Sequence, residues 1–289
     1  MTYNKPKVIA EIGCNHKGDI KIAKELVEMA AQSGVEVVKF QKRNNKIYLS
    51  EEQYNNPHPN PINSYGKTYG AHREFLEFSI YQHQELKAFA ESLGVIYSSS
   101  VWDTISAQEI ISLNPSLIKV PSACNNNFDM LEILRDQYSG DIHISFGMTT
   151  KIEEEEIVAF FEEKNQTHRL VLYSCISGYP VPFKDICMLE IVRIKKQYLN
   201  KIKGIGFSGH HLGIAVDIAA YTLGAEWIER HFTLDRTWKG TDHSASLEPI
   251  GLRKIVRDLK ATYKSLSYKQ SEILDIEKKQ RKKLKYKKS

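Results

Sequence analysis

Eight short runs rich in β-branched residues, each followed by a stretch of helical periodicity, recur along this chain. Each leads to a polar residue capable of chemistry: Glu11, Lys39, Ser100, Lys119, Ser145, Ser177, His210 and His231. Such alternation of strand and helix implies parallel pairing with right-handed crossovers. A doubly wound open sheet shares that alternation, but the count of eight and the polar residue at each strand end favour closure. The prediction is an α/β fold of the (β/α)8 TIM-barrel type, with its catalytic mouth at the carboxyl ends of the strands.

The strands are expected at residues 8–13, 35–41, 95–100, 117–121, 142–146, 169–174, 204–207 and 226–232. Helices are expected at 19–33, 82–92, 104–113, 129–138, 152–164, 184–198, 213–223 and 249–266. In the first helix Ile22, Leu26, Met29 and Ala30 recur at spacings of three or four and define one apolar face, and Gly34 is placed to end it. Residues 42–79 form a long polar segment rich in Asn, Pro, Tyr and Gly. Long loops in compact domains tend to act as lids or binding loops, so residues 65–70 (YGKTYG) are expected to fold over the mouth.

Residues 1–266 thus read as one barrel and residues 267–289 as a basic tail. The net charge of +5 belongs to that tail: residues 278–289 hold eight of the 40 Lys and Arg, and the remaining 32 face 35 acidic residues. Such a terminal run is expected to be solvated and partly disordered; contact with an anionic surface is the alternative. No apolar run is long enough to span a membrane, and the polar residues 1–7 lack the apolar core of a secretory signal, so none is expected. Four scattered cysteines without a CxxC pair fit reduced thiols, so a cytoplasmic protein is expected.

His210 and His231 fall at the ends of neighbouring strands seven and eight. Two imidazoles there can bind one divalent cation and leave positions open for water and substrate. Glu229 shares a strand face with His231, and Glu11 lies on the strand that meets strand eight on closure. A lone strand-end histidine is as readily structural; the joint placement of Glu11, His210, Glu229 and His231 favours a metal site. His211 and His243 are weaker candidates, better read as loop or supporting residues. A single rim lysine often snorkels, but Lys39 and Lys119 with Ser100, Ser122, Ser145 and Ser208 make a cationic, hydroxyl-lined pocket suited to phosphate. No GxxxxGK[ST] or GxGxxG pattern is present, which argues against nucleoside triphosphates and dinucleotides. These residues predict a metal-assisted enzyme acting on a small phosphorylated anion, with condensation, isomerisation and hydrolysis left open.

Several segments resemble the sialic acid synthase family: Ala10-Glu11-Ile12-Gly13-Cys14-Asn15-His16-Lys17-Gly18, Val38-Lys39-Phe40-Gln41, Phe207-Ser208-Gly209-His210 and the block at residues 229–249 (ERHFTLDRTWKGTDHSASLEP). The likeness runs from about residue 8 to 265. It implies condensation of phosphoenolpyruvate with an N-acylated hexosamine to give a nine-carbon 2-keto-3-deoxy acid and phosphate, assisted by a divalent metal, commonly Mn2+, with Mg2+ or Co2+ as alternatives. Carried over by motif, His210 and His231 would be metal ligands, and Lys39, Ser100, Lys119, Ser122, Ser145, Ser177 and Ser208 would hold phosphoenolpyruvate. Tyr179, Asp242, Gln41 and Cys124 would meet the sugar, and Glu11, Lys39 and Glu229 would be catalytic. Pairing of barrels as a homodimer is a further expectation, with small-molecule substrates and neither membrane nor nucleic acid as partners.

Two departures from the family pattern bear on the sugar. The family usually carries a small C-terminal antifreeze-like domain that contacts the acyl group, and the basic tail after residue 266 is not expected to form one. Where the family reads Gly-Ser-Gly and an acid, this chain reads Pro121-Ser122-Ala123-Cys124. A thiol does not replace a carboxylate as acceptor, so either Asn125 or Asn126 takes over or the aldose differs. Two other readings stand beside condensation: a metal-dependent barrel isomerase or phosphate-ester hydrolase, and a non-enzymatic scaffold whose tail binds nucleic acid.

Overall fold

Eight parallel strands pair in sequence order and the last returns to the first. In a computed structural model describing residues 3–286, β1 (Lys7–Gly13), β2 (Val37–Lys42), β3 (Ile96–Val101), β4 (Leu117–Val120), β5 (Asp141–Ser145), β6 (Leu170–Cys175), β7 (Gly204–Gly209) and β8 (Trp227–His231) form a closed barrel. The helices are α1 (Ile20–Ser33), α2 (Asn45–Tyr48), α3 (Glu51–Asn55), α4 (Tyr69–Leu76), α5 (Ile80–Ser92), α6 (Thr104–Ser112), α7 (Phe128–Gln137), α8 (Lys151–Glu162), α9 (Leu189–Tyr198), α10 (Ala215–Leu223), α11 (Pro249–Ser265) and α12 (Asp275–Leu284). The (β/α)8 prediction is met.

Strand periodicity sorts the barrel interior into layers. Ile9, Val37, Leu117, Val171, Tyr173 and Trp227 form a separate buried cluster. Two residues further along their strands stand Glu11, Lys39, Lys119, Cys175 and Glu229, which side-chain alternation turns to the same face. Below them His143 closes the interior, with a ring nitrogen 2.8 Å from Tyr173 Oη and its ring edge-on to Trp227. Gly206 makes room for this plug, because a Cβ there would lie 2.3 Å from the Tyr173 ring. The outward strand faces pack against helices such as α1, whose buried residues are Ala23, Leu26, Val27, Ala30 and Ser33. Asp19 caps that helix by accepting from Lys21 N at 2.7 Å, and Gly34 ends it in left-handed backbone at φ 82°.

Three segments differ from the sequence-based expectation. The polar segment after β2 is not plain loop: Ser50 and Gln53 form a reciprocal capping box that starts α3, and Thr68 caps α4. It does reach the mouth, where Tyr65 Oη donates to Lys239 O and Lys239 lies over the Tyr65 ring. The helix expected from residue 184 starts only at Leu189, because Cys187 takes φ 53° and breaks it from the short 3-10 turn Phe183–Asp185. In the basic tail, α12 is helical with none of its side chains buried, and Glu277 both accepts from Leu274 N and pairs with Lys269 at 2.8 Å. Residues 287–289 of that tail lie outside the described residues.

Candidate active site

The polar layer at the strand ends opens into a cavity of about 560 Å3. Barrel register builds it pairwise: Glu11 stands opposite both Lys39 and His231, Ser100 opposite Lys119, and Ser208 opposite both Cys175 and Glu229. Lys39 Nζ lies 2.5 Å from Glu11 Oε2 and 3.7 Å from Glu229 Oε2, and donates to Ser100 Oγ at 2.7 Å. Lys119 Nζ donates to Ser145 Oγ at 2.5 Å and stands 4.0 Å from Glu229 Oε1. Ser208 Oγ donates to Glu229 Oε1 at 2.9 Å, and Gln41 Nε2 donates to Glu11 Oε1 at 2.8 Å.

Burial and charge compete at each of these groups. Burial draws the Lys39 ammonium down, but Glu11 and Glu229 outweigh it and hold the group above its ordinary value. At Lys119 burial wins over Glu229 and the weaker pull of Cys175 and Glu11, with Lys39 adding repulsion, so this amine sits lower. Burial raises Glu229, yet Lys119, Lys39 and the Ser208 hydroxyl together hold it well below the usual carboxylate range. The result is a desolvated cage of two ammonium groups and two carboxylates, with serine hydroxyls around it.

Ser122 and Ser177 complete the rim. Ser122 Oγ accepts from Gly147 N at 2.9 Å. A Cβ at Gly147 would stand 2.5 Å from Ser177 Oγ and 2.7 Å from Ser122 Oγ, so glycine is what lets both hydroxyls approach the backbone.

His210 and His231 face one another with ring centroids 5.4 Å apart, and Tyr179 lies 4.3 Å from the first and 5.8 Å from the second. His210 Nδ1 is 2.9 Å from Ile176 O. A carbonyl only accepts, so Nδ1 carries the proton and Nε2 keeps its lone pair, the arrangement found behind metal-binding imidazoles. Burial, then the neighbouring His231, pulls the His210 ring to about 3, so it is neutral. Buried His231 Nδ1 has no hydrogen-bond partner. No cluster of three or more His, Cys, Asp or Glu ligands occurs among the described residues. The two rings could offer two nitrogens to a divalent cation, with its other positions left to solvent and substrate.

Of the residues predicted for the site, Glu11, Lys39, Gln41, Ser100, Lys119, Ser122, Ser145, Ser177, Tyr179, Ser208, His210, Glu229, His231 and Asp242 all line this cavity. Cys124 does not. It ends a 3-10 turn (Ser122–Cys124) that directs its thiol toward Val101 O at 3.6 Å, within the apolar core, while Ala123 takes the cavity wall. Asn125, the suggested substitute, donates instead to Ser145 O and Thr149 Oγ1 at 2.8 and 2.7 Å. His211 lies 3.2 Å from Asp217, and His243 is 2.7 Å from Thr233 Oγ1; both are supporting residues off the cavity. The prediction overlooked Arg43, Arg73, His58, His72 and Trp102, which also line the cavity, while Tyr69 comes from the segment expected over the mouth. Arg43 was readable, since it continues the two-residue spacing of Lys39 and Gln41; Arg73 sits on α4, with no such pattern to mark it.

The NeuB family model matches residues 26–271. The N-acetylneuraminate-9-phosphate synthase of Homo sapiens is 36% identical over 270 residues, covering 93% of this chain and 74% of that protein. The N,N'-diacetyllegionaminic acid synthase of Campylobacter jejuni is 30% identical over 91% of this chain and 78% of its own length. Among solved structures, the N-acetylneuraminic acid (sialic acid) synthetase of Leptospira borgpetersenii superposes with a TM-score of 0.82 at 27% identity, covering 98% of this chain and 94% of the other.

Proposed function

This chain belongs to the NeuB family, and from that premise we propose how its barrel mouth condenses phosphoenolpyruvate with an N-acylated hexosamine or related aldose. The product is a nine-carbon 2-keto-3-deoxy, sialic-acid-like sugar acid, released with phosphate. The observation that carries the residue assignment is that two buried lysines, Lys39 and Lys119, converge on the same carboxylate, Glu229, beside the His210–His231 pair.

In this reading Lys39 and Lys119 hold the phosphate and carboxylate of phosphoenolpyruvate, and Ser100, Ser122, Ser145, Ser177 and Ser208 donate hydrogen bonds to their oxygens. Gln41, Asp242 and Tyr179 orient the aldose. His210 and His231 would hold a divalent cation, Mn2+ in our proposal, that polarises the aldehyde when bound. C3 of phosphoenolpyruvate bonds to the aldehyde carbon as the carbonyl π pair moves onto the aldehyde oxygen, which takes up a proton from solvent to become a hydroxyl. The C2 centre left electron-poor takes up water. Glu11, beside the imidazole pair, accepts the water proton. Glu229 is too strongly held as a carboxylate to be an effective base; it keeps both ammonium groups charged and aimed. Collapse of the tetrahedral adduct breaks the C–O bond, and the phosphate leaves with the bonding electrons, its charge offset by the lysines. Fixing both substrates in one mouth supplies orientation worth up to about 7–11 kcal/mol of barrier.

We further propose a cytoplasmic enzyme, a reading supported by four unpaired cysteines. No helix among the described residues is long and apolar enough to cross a membrane. A homodimer is also proposed, supported by exposed Met148, Ile152, Phe183 and Leu189 in the adjacent units after β5 and β6; light scattering tests it.

The activity test is phosphate release from phosphoenolpyruvate, with and without aldose and with and without chelator. Release that needs both substrates supports condensation; release from phosphoenolpyruvate alone would make the protein a phosphate-ester hydrolase.

A further inference from the structure

Side-chain alternation along β8 sends Glu229 and His231 into the barrel and turns Arg230 outward, against α10. Arg230 is 1% exposed, and the steps above leave it unused. A guanidinium is costly to bury unless its charge and donors are met. Here they are met almost wholly by one short segment and one acid. Nη1 lies 2.5 Å from Asp217 Oδ2 and donates to Gly213 O at 2.9 Å, and Nη2 donates to His211 O at 2.6 Å. Asp217, on α10, has no exposed surface and supplies the countercharge.

The segment held in this way is the one that carries His210. The β7–β8 ladder ends at the Gly209–Arg230 pair, and α10 begins only at Ala215. Residues 210–214 between them belong to neither strand nor helix. Val181 N donates to His210 O at 3.0 Å, and Arg230 then takes the carbonyls of His211 and Gly213. Between those two anchors Leu212 is 47% exposed, and Gly213 adopts left-handed backbone at φ 77°. His231 is secured separately: Leu247 N donates to its carbonyl at 2.7 Å, and Phe232 N donates to Glu11 O at 2.8 Å. Arg230 thus stands beside His231 on one strand and grips the segment of His210, tying together the two rings whose centroids lie 5.4 Å apart.

We propose that Arg230, anchored by Asp217, is a positioning residue that holds the His210 imidazole opposite His231 from behind the barrel wall, so that the two rings can share one divalent cation. The inference rests on reading the imidazole pair as a cation site, and on condensation only for its effect on turnover. A guanidinium suits the task because its planar fork reaches a carboxylate and two carbonyls at once. An ammonium carries the same charge but is a point donor on a flexible stem. Arg230 touches neither substrate nor cation in this role; it acts through the backbone on either side of His210.

The test compares the full chain with Arg230→Lys, which keeps a cation beside Asp217 but not the fork, and with Arg230→Met/Asp217→Asn, which leaves no stranded charge. Calorimetric titration of the chelator-treated proteins with Mn2+, without substrates, is read beside amide hydrogen exchange, melting temperature and KM for phosphoenolpyruvate at saturating Mn2+. Both variants are expected to bind Mn2+ about 10- to 100-fold more weakly, as when a group that orients a metal ligand is lost. Exchange should quicken at residues 210–214, and excess Mn2+ should restore turnover. KM for phosphoenolpyruvate should not move, because the lysine cage lies on the opposite face of β8. An Mn2+ affinity equal to the parent's in both variants would overturn the proposal, as would parallel loss of Mn2+ affinity, phosphoenolpyruvate affinity and melting temperature in both. A parent that binds no Mn2+ would overturn it together with the imidazole assignment. Weakened Mn2+ binding in the variants of a parent that consumes no phosphoenolpyruvate with an aldose keeps the positioning role and removes condensation. A parent that condenses, with variants that bind Mn2+ as tightly as it does, gives the reverse.

Discussion

Lys39 Nζ stands 2.5 Å from Glu11 Oε2 across the seam between β1 and β2, with each side chain only 3% exposed. Two groups so deeply placed depend on one another for a partner, and removing one strands the other. Lys39→Met is therefore expected to destabilise the fold by about 3–5 kcal/mol and to abolish condensation. The double variant Lys39→Met/Glu11→Gln should regain much of the stability but none of the activity. Urea denaturation alongside turnover checks this; a Lys39→Met protein as stable as the parent would show the pair to be uncoupled.

Gly147 is expected to tolerate no side chain without loss of substrate. Alanine there puts a Cβ 2.5 Å from Ser177 Oγ and 2.7 Å from Ser122 Oγ, displacing both donors. The KM for phosphoenolpyruvate should rise by about tenfold or more with an unchanged melting temperature. An unaltered KM would remove these two serines from the binding set.

His210→Ala and His231→Ala should each remain folded and lose bound divalent metal, read by elemental analysis, together with chelator-sensitive turnover. Loss of one of two imidazole ligands is expected to lower activity by about two orders of magnitude or more. Full metal content in both variants would move the cation elsewhere.

Acid should destabilise the protein from neutral pH downward. Burial, with Arg73 repulsion at His16 and Lys42 repulsion at His83, lowers both rings to about 3. His16 stacks on Phe78 with centroids 4.0 Å apart, and a His83 ring nitrogen lies 2.7 Å from Tyr97 Oη. An unfolded imidazole takes a proton below about pH 6.5, whereas these folded rings stay neutral until about 3. Between those values the unfolded state binds more protons, so stability is complete above about pH 6.5 and falls as pH drops, by up to about 1.4 kcal/mol per unit per ring. Urea midpoints at pH 7, 6 and 5 measure the slope, and His83→Gln should flatten it. Identical slopes in the variant and the parent would exclude His83 as a contributor.

The barrel and its inner cage were legible in the sequence because both obey the two-residue period of a strand. Lys39, Lys119 and Glu229 are read from the last inward positions of apolar runs, and closure then brings Glu11 beside His231. What was not legible depends on contacts between distant segments. Arg73 enters the cavity because α4 is held over the mouth by the Pro57–Thr68 bridge and the Tyr65–Lys239 contact. Cys124 leaves it because a 3-10 turn follows β4 and carries the thiol toward Val101 O. The sugar-specificity argument drawn from that thiol loses its geometric basis.

The most direct test of the account is mass analysis of the reaction product with phosphoenolpyruvate labelled with 18O in the oxygen bridging C2 and phosphorus. Condensation in the lysine cage predicts a sugar acid three carbons longer than the aldose, with the label recovered in the released phosphate. Label retained in the organic product, or an aldose recovered at its original length while phosphate accumulates, would contradict it.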